Sequence, residues 1–316
     1  MVENEIAMRI LFYAPESNPE AWRTALCKAI PVADVRIWQD GDDAPADYAV
    51  VWKPPREMLA PARGLKALFN IGAGVDAILE LGDGLPADLP VIRLDDAGMG
   101  VQMAEYVTHA VLRYFRRFDE YDSQARAAQW RFLKPFNKGE FTVGILGLGM
   151  LGKRIAATLA QLEFPLHGWS RTAQIVPGIT CHCGEQGLDA FLRAARVVVC
   201  VLPLTPETAR ILNRGNLAKL ARGAFLINVA RGGHLVEADL LELVQDGHIA
   251  AATLDVVDEE PLPPSHPFWH EPRITLTPHI AALTLRDESA RQIAGKIAAL
   301  ERGEAVAGTV DRLKGY

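Results

Sequence analysis

The chain holds 316 residues, 49% of them hydrophobic, with a mean hydropathy of +0.07 and 33 Lys and Arg set against 39 Asp and Glu, a net charge of −6. That length predicts two domains. The acidic balance, with no basic block, excludes nucleic acid and anionic membrane as partners, because both bind through positive patches. No apolar run approaches the roughly 18–20 residues of a membrane span. The N-terminus lacks the layout of a signal peptide, and four cysteines are too few for a disulfide framework. A cytoplasmic protein is predicted.

Residues 1–7 read as a short leader before a first strand near Met8. Short apolar, β-branched runs at 9–13, 49–52, 67–71 and 91–94 then predict strands. They are continuous rather than alternating, as in strands covered on both faces by helices. Residues 103–118 predict a helix, since Met103, Val107, Ala110, Val111, Tyr114, Phe115 and Phe118 recur at helical spacing. Residues 123–140 do not read as a compact element. Further strands are predicted at 141–146, 165–169, 197–202, 224–229, 251–256 and 273–276, and a last helix at 287–300. This β–α alternation means α/β architecture with two doubly wound parallel sheets. The expected division is a first domain of residues 1–102 and 286–316 with a second, residues 103–285, inserted into it.

Gly147-Leu148-Gly149-Met150-Leu151-Gly152 follows a strand and opens a helix, and another strand comes next. In that context the motif points to a dinucleotide: the glycines allow a tight turn, close approach to a pyrophosphate and close helix–strand packing. The next strand ends in Ser170-Arg171-Thr172. An NAD site usually has a carboxylate there for the ribose hydroxyls. Here nothing repels a 2′-phosphate and a guanidinium can grip one, which predicts NADP over NAD.

Three segments at later strand ends carry Arg231, Glu260 and His279. In a parallel sheet the carboxyl ends of strands line one crevice, so distant residues can converge there. The trio suits reduction of a small 2-oxo acid. Arg231 would bind the carboxylate and polarise the carbonyl, His279 would donate the proton, and Glu260 would orient the imidazole. Trp52 and Lys53 end a first-domain strand and could close over a small substrate. Cys181-His182-Cys183 lacks a second ligand pair at suitable spacing, so no metal is expected.

On the glycine motif, Leu202-Pro203-Leu204-Thr205-Pro206-Glu207-Thr208, the Asn228–Gly232 and Asp255–Pro263 strings and Thr277-Pro278-His279-Ile280, the chain resembles the D-isomer-specific 2-hydroxyacid dehydrogenases over nearly its whole length. The resemblance implies a Rossmann dinucleotide-binding domain inserted into a flavodoxin-like substrate domain, with Arg231, Glu260 and His279 catalytic. It also implies that Leu202, Pro203, Leu204, Thr205 and Ala230 line the cofactor and that Asp255 contacts the nicotinamide amide. Asn70-Ile71-Gly72-Ala73-Gly74-Val75-Asp76 resembles the family's substrate loop, in which the N–H groups of Ala73 and Gly74 would hold the substrate carboxylate. Val51-Trp52-Lys53-Pro54-Pro55, Trp169-Ser170-Arg171-Thr172 and the ending Val310-Asp311-Arg312 narrow the likeness to the glyoxylate/hydroxypyruvate reductases of that family. A homodimer is implied, with the long helix and residues 123–140 at its interface. Two alternatives stand beside this reading: a 2-hydroxyacid dehydrogenase of different substrate range, and a dinucleotide-sensing binding protein on the same fold.

Overall fold

The computed structural model describes residues 8–59, 64–72, 74–312 and 314–315. The expected leader lies outside the described residues. The chain forms two compact units, one of Met1–Gly98 with Thr284–Tyr316 and one of Met99–Leu283.

The first unit is built on β1 (Met8–Tyr13), β2 (Ala33–Ile37), β3 (Tyr48–Val51), β4 (Ala67–Asn70) and β5 (Val91–Arg93), all parallel in the order β2-β1-β3-β4-β5. This is the flavodoxin-like order, with its switch point between β1 and β3. Every residue of β3 and β4 is buried, which explains their unbroken apolar runs. One face packs Phe12, Val50 and Phe69 against Trp22 and Leu26 of α1 (Pro19–Ala29) and against Ile293 and Ile297 of the C-terminal helix (Arg286–Glu301). The other packs Leu11, Val51 and Leu68 against Met58, Leu59 and Ile78, the last on α2 (Asp76–Leu79). Helix α1 starts where Asn18 caps the Ala21 N–H and Pro19 takes the first helical position.

In the second unit α3 (Met99–Phe115) and α4 (Phe118–Arg126) precede a seven-stranded sheet. Its strands are β6 (Val143–Leu146), β7 (Leu166–Ser170), β8 (Thr180–Cys183), β9 (Val197–Cys200), β10 (Ala224–Asn228), β11 (Ile249–Leu254) and β12 (Ile274–Leu276). Their order is β12-β11-β10-β9-β6-β7-β8, again all parallel. The order reverses at β6 and β9, and a ligand crevice belongs at the carboxyl ends there. Helices α5 (Met150–Gln161), α6 (Gly184–Ala194), α7 (Arg214–Leu217) and α8 (Glu237–Gln245) complete the unit.

Three expectations need correction. The helix predicted over 103–118 stops at Phe115: Arg117 adopts φ 60, in the left-handed region, and breaks the run, so that Phe118 opens α4. That second helix overlaps a stretch expected to lack a compact element. Strands β2 and β8 were not expected; both are half-exposed edge strands, so neither carries the continuous apolar run that marks a strand buried on both faces. Among the described residues no helix is long and apolar enough to cross a membrane.

Candidate active site

The glycine turn is shaped by the side chains it lacks. Gly147 leaves β6 at φ 109, where a Cβ would stand 3.0 Å from the Val201 carbonyl oxygen; on Gly152 it would stand 1.8 Å from that of Gly147. Gly149, the N-cap of α5, differs: a Cβ there would meet nothing within 4 Å, and no side chain caps the helix. The turn therefore closes tightly on its protein side and is open on the other. There the first-turn N–H groups and the positive helix end can take a pyrophosphate. Met150 is exposed and Leu151 half-buried.

Two neighbouring strand ends flank this turn. After β9, Thr208 fastens the Leu202–Thr205 stretch, its hydroxyl donating to the Pro203 carbonyl at 2.7 Å and accepting the Thr205 N–H at 2.9 Å. At the end of β7, Ser170 is buried with its hydroxyl on the Thr172 carbonyl at 2.8 Å, while Arg171 and Thr172 are exposed. Glu207 stands in the electrostatic field of Arg171. Its carboxyl is held below the usual range by a hydrogen bond from Thr205 and by its own backbone N–H, with the Arg171 charge adding to these.

The structure brings Arg231, Glu260 and His279 together at the ends of β10, β11 and β12. Gly232 makes this possible, since a Cβ on it would lie 1.9 Å from the Val257 carbonyl oxygen. The Arg231 segment thus runs directly along the turn that carries Glu260. Glu260 accepts the Val257 N–H at 3.3 Å and lies 2.9 Å from His279 Nδ1. Burial pushes its carboxyl up, but the His279 hydrogen bond and charge, the Val257 N–H and the Arg231 charge outweigh this and hold it below the usual carboxylate range. Both side chains remain about 40% exposed (42% for His279, 40% for Glu260), so the pair faces solvent and not the core. Asp255 is buried, and its carboxylate accepts the Thr277 hydroxyl at 2.6 Å and the N–H groups of Ile280 at 2.8 Å and Ala281 at 2.7 Å. Ala230 is buried, its N–H on Asn228 Oδ1 at 3.2 Å.

In the first unit, Asn70 is buried at the end of β4 and donates to the carbonyls of Gly72 and Gly74, both at 2.8 Å, which shapes the loop. The Trp52 ring lies where a Cβ on Gly72 would be, 2.0 Å from it, so only glycine fits beneath this indole. Lys53 adopts φ 46 and pairs with Glu16 at 3.0 Å. Ala73 lies outside the described residues.

The sequence profile described as D-isomer specific 2-hydroxyacid dehydrogenase, NAD binding domain, matches residues 108–281. The glyoxylate/hydroxypyruvate reductase A of Serratia proteamaculans (strain 568) is 52% identical over 313 residues, 98% of this chain and 100% of that protein. The chain belongs to the D-isomer-specific 2-hydroxyacid dehydrogenase family. Among solved structures, a D-isomer specific 2-hydroxyacid dehydrogenase from Xanthobacter autotrophicus Py2 in complex with NADPH and MES is similar at a TM-score of 0.93 and 41% identity, covering 98% of this chain and 99% of that one. The NADPH-dependent glyoxylate/hydroxypyruvate reductase of Sinorhizobium meliloti, in complex with NADP and sulfate, has a TM-score of 0.89 at 36% identity, covering 98% and 100%.

Several residues that shape the site of this 2-hydroxyacid dehydrogenase escaped the sequence reading. Asn228 is buried and donates to the Arg231 carbonyl at 3.0 Å. His234 is buried with Nδ1 3.1 Å from the Arg231 carbonyl and Nε2 3.2 Å from that of Pro203, which ties the arginine segment to the β9 loop. Both residues lie within or just beyond the Asn228–Gly232 segment, so proximity to Arg231 was the available signal. The Cys181-His182-Cys183 string lies in β8, where successive side chains point to opposite faces. His182 Nε2 there lies 2.9 Å from His167 Nδ1. Among the described residues no group of three or more His, Cys, Asp or Glu could hold a metal ion.

Proposed function

We propose that this dehydrogenase reduces small 2-oxo acids, glyoxylate to glycolate and hydroxypyruvate to D-glycerate, with NADPH preferred over NADH. The observation that carries the reading is the Arg231–Glu260–His279 set at the carboxyl edge of the sheet that also bears the glycine turn. A nicotinamide held on that turn supplies the hydride. The turn and the first-turn N–H groups of α5 would hold its pyrophosphate, and Leu202, Pro203, Leu204, Thr205 and Ala230 would line it. Arg171, with Ser170 and Thr172, would take the 2′-phosphate and exchange its interaction with Glu207 for one with the ligand.

Arg231 binds the substrate carboxylate and polarises the carbonyl. His279 keeps Nδ1 on Glu260, which leaves Nε2 to deliver a proton to the oxygen as it becomes a hydroxyl. The carboxylate of Glu260 lies 2.9 Å from Nδ1, and because a carboxylate only accepts, Nδ1 carries the proton of that bond and the ring is held in one orientation. Asp255 retains capacity for the nicotinamide amide beside its three donors, since a carboxylate offers about four acceptor positions. On the first unit, Trp52, Lys53, Ala73 and Gly74 are the candidate substrate-binding residues. The deciding experiment follows NADPH absorbance with a panel of 2-oxo acids. Oxidation with glyoxylate and hydroxypyruvate supports the reading, and dinucleotide binding without turnover of any 2-oxo acid overturns it.

The same proposal includes a homodimer, supported by Trp130 and Phe132, which stand exposed on the stretch after α4. Sedimentation as a monomer would contradict it. A cytoplasmic location is supported by four free cysteines. Fractionation of cells expressing the tagged chain tests it.

A further inference from the structure

His279 occupies an unusual backbone conformation for a histidine, φ 55, in the left-handed region that costs a non-glycine residue free energy. Something must hold it there. Asp255 supplies the clamp: its carbonyl accepts the His279 N–H at 2.8 Å, and its carboxylate accepts from Thr277, Ile280 and Ala281, on both sides of the histidine. The clamp continues outward. Tyr106, on α3, places its hydroxyl 2.5 Å from Thr277 Oγ1. A threonine hydroxyl carries one proton, and here that proton goes to a carboxylate, which only accepts. The phenol is therefore the donor, and a directed chain runs from Tyr106 through Thr277 to Asp255. Burial, aided by the Asp255 charge, pushes the phenol up to about 12, in keeping with its role as donor. Chains ending on a charge polarise and strengthen along their length.

We propose that Tyr106 is a positioning residue for His279, acting through Thr277 and Asp255 to hold the proton donor in its strained conformation. The proposal rests on the reductase reading above, with His279 as proton donor. Without the phenol, Thr277 gains a free acceptor and can rotate, and the segment it anchors loosens. A small displacement of a reacting group then lowers turnover with little effect on binding.

The test compares Tyr106→Phe, which keeps the ring, with Thr277→Val, which keeps the shape, and with the double variant. For Tyr106→Phe the expected result is a kcat about tenfold lower, the loss of roughly one hydrogen bond, with KM for glyoxylate and for NADPH within about twofold. The double variant should be no slower than the slower single one, because both cut the same chain. Thr277→Ser, which restores the hydroxyl, should recover most of the rate lost in Thr277→Val. A wild-type kcat in Tyr106→Phe, or losses that multiply in the double variant, would overturn the inference. A readout independent of activity separates this from failure of the reductase reading. In isotope-labelled protein the His279 ring resonances should move in Tyr106→Phe, and unchanged resonances sink the positioning role even if no 2-oxo acid is turned over.

Discussion

The glycine turn 147–152 and the segment 277–281 both leave the same edge of the second sheet, yet they are held by opposite means. The turn is shaped by missing atoms: Gly152 exists because a Cβ would sit 1.8 Å from a carbonyl oxygen five residues earlier. The segment is shaped by bonds that arrive from far along the chain. Asp255 lies 22 residues from Thr277, Glu260 19 from His279 and Tyr106 171 from Thr277. A pyrophosphate site needs only backbone N–H groups and space, which a short local sequence can encode. A proton donor must be placed to a fraction of an ångström, and that requires partners from several elements.

The largest effect should come from the segment. His279→Ala should lower kcat by roughly 10²–10⁴-fold, the range for a lost general acid, with KM for NADPH little changed in steady-state kinetics. A near-normal kcat would remove His279 from the chemistry. Next comes the flank of the turn. One charge-assisted contact is worth about 1.5–3 kcal/mol, roughly 10–100-fold in preference. Arg171→Ala should therefore lose most of a preference of at least about tenfold for NADPH, seen as the ratio of kcat/KM with the two cofactors. Ser170→Asp should depress NADPH use through repulsion. Equal use of both cofactors by the wild type would overturn the preference, and an unchanged ratio in Arg171→Ala would show that another residue sets it.

The turn itself allows a sharper contrast. Gly152→Ala forces backbone apart and should cost about 1–3 kcal/mol, the usual range for overpacking. Gly149→Ala has open space around it and should leave stability within about 0.5 kcal/mol while weakening NADPH binding. Thermal unfolding beside a fluorescence titration tells the two apart; equal losses of stability would contradict the geometry. The smallest effect concerns pH. The Glu260 carboxyl lies below its ordinary value of 4.5 in the folded protein. Its contribution to stability is thus present above that value and is lost as pH falls through the lowered one. The pair is half-exposed, so the contribution is small. The melting difference between wild type and Glu260→Gln should hold down to about pH 5 and shrink as pH falls below the ordinary value of 4.5. A difference that grows on acidification would reverse the sign of the argument.

Legibility in the sequence follows burial and locality. Central strands such as β3, β4 and β9 are buried along their whole length and read as continuous apolar runs. The edge strands β2 and β8 are half-exposed, and their mixed sequences, Ala-Asp-Val-Arg-Ile and Thr-Cys-His-Cys, carry no such signature. The break at Arg117 was equally hidden: the apolar spacing continues across it to Phe118, while the backbone turns through a left-handed residue. In the site, Arg231, Glu260 and His279 stood out because their residue types sit at strand ends. Tyr106 did not, since an aromatic on an amphipathic helix looks like any other packing residue until its hydroxyl is seen against Thr277.

Residue type, period and local sterics were therefore enough, unaided, to specify two parallel α/β sheets, a glycine turn suited to a pyrophosphate and an arginine in place of an acid after β7. These depend on interactions within a few residues or on burial that leaves a compositional trace. Convergence was settled by folding alone. Gly232 against Val257, Glu260 against His279, His234 between two loops and Tyr106 at the head of a hydrogen-bonded chain are contacts between residues far apart in the chain. Nothing local distinguishes such residues, because a hydrogen bond of about 3 Å between distant segments exists only once the packed sheet has brought its strand ends side by side.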